Sequence, residues 1–95
     1  MDVQALAKVK VRMAIDPFET VGKALANVEK RVALGKVVSL NYDEEADVLY
    51  VKFRHSKIVD NEPLDEKGLI LASLDERQEV VGLIIMEASR FTRGV

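Results

Sequence analysis

The chain has 95 residues, 48% hydrophobic and 32% charged, with a net charge of −2 and no cysteine. Its length predicts a single domain, 1–95, and its balance is that of a globular chain, which excludes a disordered one. Disulfides and thiolate metal sites are excluded too, so stability has to come from packing or from a partner.

A chain this short buries only about 60–65% of its unfolded surface. Its longest apolar run falls far below the roughly 18 residues that span a bilayer, so no membrane association is expected. The opening MDVQALAKVK has an acid at position 2 and neither an apolar signal core nor a cleavage site, which predicts a cytoplasmic protein. Charge is uneven. Residues 1–36 carry seven Lys/Arg against four Asp/Glu, and residues 37–95 carry seven against twelve. A basic helix beside an acidic sheet accounts for this; a basic arm for nucleic acid or an acidic partner is the sharper alternative.

In KVKVRMAI, residues 8–15, Val9, Val11, Met13 and Ile15 alternate with Lys8, Lys10, Arg12 and Ala14, which is strand periodicity. The preceding Gln4, Ala5, Leu6 and Ala7 favour a helix, so an extra N-terminal strand or helix is expected here. DPFE follows at 16–19. Asp16 can accept from the first free amides of a helix, Pro17 suits its first position, and Glu19 can reach back to the cap. Phe18, Val21, Leu25, Val28 and Val32 then fall on one face. The spacing predicts an amphipathic helix over 17–34, about 27 Å long, with Gly35 just past its end. Gly22 costs about 1 kcal/mol relative to alanine inside it, which close packing would explain.

From residue 37 the period becomes that of strands. VVSLNY places Val38, Leu40 and Tyr42 on one face; VLYVKF, 48–53, places Leu49, Val51 and Phe53 on one side and Val48, Tyr50 and Lys52 on the other. The polar DEEAD between them makes a β-hairpin. KIVDNEPLDEKG, 57–68, reads as a weaker strand or a loop, kept at an edge by Pro63. GLILASL, 68–74, and EVVGLIIM, 79–86, are strong strands joined by DERQ, 75–78, around a type I turn. Gly82 inside the second marks a bulge or a close approach.

Those last two strands are apolar on both faces, with Leu69 and Leu71 opposed to Ile70, Ala72 and Leu74, and Val80, Ile84 and Met86 opposed to Val81, Leu83 and Ile85. A sheet with one wet face alternates apolar and polar instead. One helix covers one face. The other needs the N-terminal segment or a second subunit, so a homodimer is expected.

Chemistry finds little to work with. Asp43, Glu45 and Asp47 alternate as in a calcium loop, but the sixth position is Val48 where that loop needs glycine, and no helices flank it. A turn fits better, with Asp43 bonding its backbone, Glu44 and Glu45 in water and Asp47 ending it. Asp60, Glu62, Asp65 and Glu66 form a second acidic cluster that nothing places opposite the first, as paired-carboxylate hydrolysis requires; acids on an edge strand discourage unwanted pairing. His55 is the single histidine. Ser39, Ser56, Ser73 and Ser89 lie in no nucleophile-elbow motif, and the five glycines form no phosphate loop or dinucleotide fingerprint. Lys8, Lys10 and Arg12 followed by Asp-Pro and a helix are similar, over residues 8–30 alone, to the opening of ribbon-helix-helix DNA binders. The strand-like VVSLNY stands where their second helix would be, and a net acidic chain repels phosphate.

The elements YDEEADVLYVKF, GLILASLD and VVGLIIMEAS together resemble a family of small prokaryotic proteins, domain-of-unknown-function family 2283, over roughly residues 41–90. The residues that carry the resemblance are Tyr42, Asp43, Glu45, Ala46, Asp47, Leu49, Tyr50, Gly68, Ile70, Asp75, Val81, Gly82, Ile84, Ala88 and Ser89. Gln78-Glu79 departs from it, because the family often turns there with a glycine. The resemblance brings no reaction with it. Members similar to genes paired with toxin-like proteins imply an antitoxin-like or partner-binding role.

The expectation is an α+β domain: an N-terminal segment, 1–36, that is mainly helical, and an antiparallel β-meander of about four strands over 37–90 with the helix on one face. It is expected to be a homodimeric, non-enzymatic interaction module with no catalytic, cofactor or metal residues, and one that binds a protein partner. Nucleic-acid binding through Lys8, Lys10 and Arg12 is the alternative.

Overall fold

A computed structural model of the chain describes residues 15–26, 28 and 35–91. Lys8, Lys10, Arg12 and all of the expected 8–15 element except Ile15 lie outside the described residues. Ile15 itself is buried in the core.

Helix α1, Pro17–Leu25, starts as its sequence dictates. The Asp16 carboxylate accepts from Phe18 N at 3.0 Å and Glu19 N at 3.2 Å, and Pro17 takes a position whose N–H would have no helical partner. Glu19 does not fold back on the cap; it meets Lys23, one turn on, at 2.9 Å. The helix ends at Leu25 with Ala26 as its cap, well short of residue 34. Val28 still packs against the core without being helical. The spacing 18-21-25-28 therefore misled at both ends: Phe18 is 56% exposed, and Val28 reaches the core from irregular backbone. Among the described residues Gly22 has no neighbour within 4 Å of where a Cβ would stand, so close packing by them does not explain it. Residues 29–34 of the expected helix lie outside the described residues, and Gly35 lies beside Phe53.

Five strands form one antiparallel sheet: β1 Ser39–Asp43, β2 Val48–Lys52, β3 Asp60–Pro63, β4 Ile70–Leu74 and β5 Val80–Met86, followed by a 3-10 turn, Ala88–Phe91. The order across the sheet is β1-β2-β5-β4-β3. This corrects the expected meander of about four strands in two respects. Residues 60–63 are a true strand, at the far edge, where Pro63 costs no internal ladder bond. The chain also leaves sequential order after β2: residues 53–59 carry it past the places of β5 and β4 to that edge. Burial explains the choice. The centre of a sheet buries both faces, which suits VVGLIIM and not DNEP, whose four residues are all exposed.

The β1–β2 hairpin forms as expected, and its register sets Asp43 opposite Val48 and Tyr42 opposite Leu49. The β4–β5 hairpin closes through a turn in which Gln78 N donates to Asp75 O at 3.0 Å. Its register shifts at Ser73/Leu74, beside Gly82. A Cβ on Gly82 would stand 2.6 Å from Val51 O, so β2 and β5 come together here only over a glycine.

The inner face of the sheet carries Leu49, Val51, Leu83, Ile85, Ile70, Ala72 and Leu74. With Ile15, Ala24, Phe53, Leu64 and Ala88 they make one core. The helix and the 3-10 turn lie on this side and cap it. Among the described residues no helix is long and apolar enough to cross a membrane.

Candidate functional site

Two features stand out: the acidic turn of the first hairpin and the outer face of the sheet.

The turn carboxylates bond the chain to itself. Asp43 Oδ1 accepts from Ala46 N at 3.2 Å, while Glu44 and Glu45 are exposed. Asp47 does more than end the turn. It sits at φ 56°, a left-handed conformation that aspartate tolerates better than most side chains. From there its Oδ1 accepts from Tyr42 OH at 2.5 Å and Ser89 N at 2.9 Å, and its Oδ2 from Ser89 Oγ at 2.6 Å. Its own carbonyl accepts from Ala88 N at 2.9 Å. Burial pushes the Asp47 carboxyl up, but the hydrogen bonds from Ser89 and Tyr42 outweigh it and hold it below the usual range. Burial first, then the bond to Asp47 and the surrounding negative charge, pushes the Tyr42 phenol up to about 12. A carboxylate already holding three donors, with a low proton affinity, is a poor general base. Its geometry is that of a latch between the first hairpin and the 3-10 turn.

The same use of aspartate recurs. Asp65 accepts from Ile70 N at 3.0 Å, and Asp75 from Arg77 N and Glu79 N at 2.9 and 3.0 Å. Asp60 accepts from Asn61 N, and Glu62 and Glu66 are exposed. Among the described residues no three His, Asp or Glu side chains form a group able to hold a metal ion. His55 lies exposed in the connection from β2 to β3, whereas Ser73 is buried and donates to Asn61 at 3.0 Å. The candidate residues of the sequence are thus dispersed, with one exception: Asp47 and Ser89 meet. Their link was invisible to residue spacing, since 42 positions separate them.

The outer face is built by strand alternation. Register aligns Tyr50 with Ile84 and Ile84 with Leu71, and next to this row Val48 lies opposite Met86. Tyr50 is 40% exposed and Met86 39%, while Ile84 and Leu71 are half-buried. Among the described residues, no helix covers this side. A groove runs between Phe18 and the segment Lys36–Leu40 that leads into β1; sequence spacing missed it because it placed Phe18 in the core.

Residues 39–89 match the model of a family described as a protein of unknown function, DUF2283. No curated protein and no solved structure matches the chain.

Proposed function

The chain belongs to the DUF2283 family, whose members carry no assigned activity, and on that premise we propose that it is a non-enzymatic protein-interaction module that pairs with a second copy of itself through the outer face of its sheet. One observation carries this reading: the apolar row Tyr50, Ile84 and Leu71, with Met86 beside it, faces away from the helix. Contiguous apolar surface of this kind, with an aromatic residue and a methionine in it, is characteristic of interface centres. The inner face already has its cover. Asp43 and Asp47 of the acidic turn bond their own chain, which supports a non-enzymatic reading. An antitoxin-like role, implied by the family resemblance, fits a dimer that presents its remaining surface to a protein partner.

Sedimentation of the full chain at micromolar concentration tests the proposal. A dimer is expected, and Ile84→Arg should weaken it more than tenfold while the far-ultraviolet circular dichroism stays unchanged. A wild-type chain that sediments as a stable monomer overturns the reading.

A further inference from the structure

The outer face is polar at one end of its strands and apolar at the other, and this constrains how two copies can meet; the inference rests on the reading just proposed. Register divides the face into rows across the strands. One row holds Lys52, Gly82 and Ser73; the middle row holds Tyr50, Ile84 and Leu71; the third holds Asp43, Val48 and Met86. Lys52 and Asp43 are both exposed and lie on adjacent strands at opposite ends. Among the described residues no hydrogen bond or ion pair holds the Lys52 side chain, and Asp43 spends one oxygen on Ala46 N.

We infer that the second copy packs face to face about a twofold axis that runs across the strands through the middle row, so that Lys52 of each chain reaches the partner's Asp43. Face-to-face sheets stand about 10 Å apart, and a two-fold interface has to be complementary to itself. An axis across the strands exchanges the first and third rows. It lays the middle row on its own copy and brings the ammonium of Lys52 towards the opposing carboxylate one strand away. An axis along the strands superposes each row on itself. That alternative places the two lysines in one row and leaves both acids at the far ends, unpaired. The charges of this face are complementary to a second copy in the first arrangement only, which is why the occupant is this chain and the orientation is antiparallel.

Zero-length carbodiimide coupling of a mixture of isotopically light and heavy full-length chains tests this. Within one chain Lys52 lies opposite Ser39, four residues from Asp43. That is about 14 Å of strand, beyond the reach of the two side chains, so a Lys52–Asp43 cross-link has to join two chains. The expected result is a mixed light–heavy peptide pair joining residues 52 and 43. Lys52→Glu should weaken dimerisation about tenfold, and adding Asp43→Asn, which keeps the oxygen that holds the turn, should recover most of the loss. A dimer that gives no such cross-link, or whose affinity is indifferent to Lys52→Glu, overturns the orientation and leaves self-association standing. A wild-type monomer overturns both.

Discussion

Ser89 closes on Asp47 across 42 positions of sequence, donating its backbone N–H at 2.9 Å and its hydroxyl at 2.6 Å to the two oxygens of one carboxylate. The pair ties the 3-10 turn after β5 to the turn that begins β2, so the first and last parts of the sheet are held at the same corner. Tyr42 completes the arrangement from β1. Hydrogen bonds to a charged acceptor contribute about 1.5–3 kcal/mol each in favourable settings, and less where water competes.

Asp47→Ala should therefore destabilise the chain by about 2–3 kcal/mol in urea unfolding, since it removes three donors' acceptor and the side chain that tolerates φ 56°. Asp47→Asn keeps the backbone conformation and one good acceptor and should cost about half as much. Equal losses for the two would show that charge, and not geometry, is what matters.

The acid and alkaline limbs of the stability curve should separate the two ends of this network. The Asp47 carboxyl is held low in the folded state, so its contribution is complete above the ordinary carboxylate range and is lost as pH falls through the folded value. The Tyr42 phenol is raised from 10.0 to about 12. Its contribution is complete below 10 and disappears as pH rises through about 12. Urea midpoints measured from pH 8 to pH 12 should fall less steeply above 10 in Tyr42→Phe than in the wild type. Identical slopes would place the alkaline loss elsewhere.

Gln78 occupies a left-handed position, φ 65°, in the β4–β5 turn. Such a position costs an L-residue about 1–2 kcal/mol, part of which glycine recovers against its greater unfolded entropy. Gln78→Gly should raise stability by about 0.5–1 kcal/mol, read as a higher urea midpoint at constant slope.

Two alanine substitutions should move stability in opposite directions. Gly82→Ala drives a Cβ to within 2.6 Å of Val51 O, a backbone atom that cannot turn aside, and should cost at least about 1–3 kcal/mol. Gly22→Ala enters open space on α1 and should gain about 1 kcal/mol by helix propensity alone. If both destabilise, Gly22 has a packing role that its surroundings do not display.

Local chemistry was legible where one segment decides the outcome. Asp16-Pro17 announced the start of α1, the alternation in VVSLNY and VLYVKF gave β1 and β2 with their inner faces, and Gly82 betrayed the close approach to β2. Strand order was not legible, because it depends on which strand gains most from the centre, a comparison between segments that are far apart in sequence. The helix end was missed for a related reason: Val28 packs against the core, and apolar spacing reports who reaches the core without reporting the backbone that takes them there. Asp43 was recognisable as a turn residue from its neighbours. The partnership of Asp47 with Ser89 was not, since only the finished sheet brings β5's exit beside β2's entry.

The position of β5 has a consequence for synthesis. Among the described strands β5 is the last to be synthesised, and it alone pairs with both the β1–β2 hairpin and the β3–β4 pair. Until it emerges, the nascent chain holds two separate ribbons, each too small to persist in water. Assembly of the sheet must therefore wait for β5, and premature termination before residue 80 would leave one truncated chain holding two unjoined ribbons exposed to proteolysis.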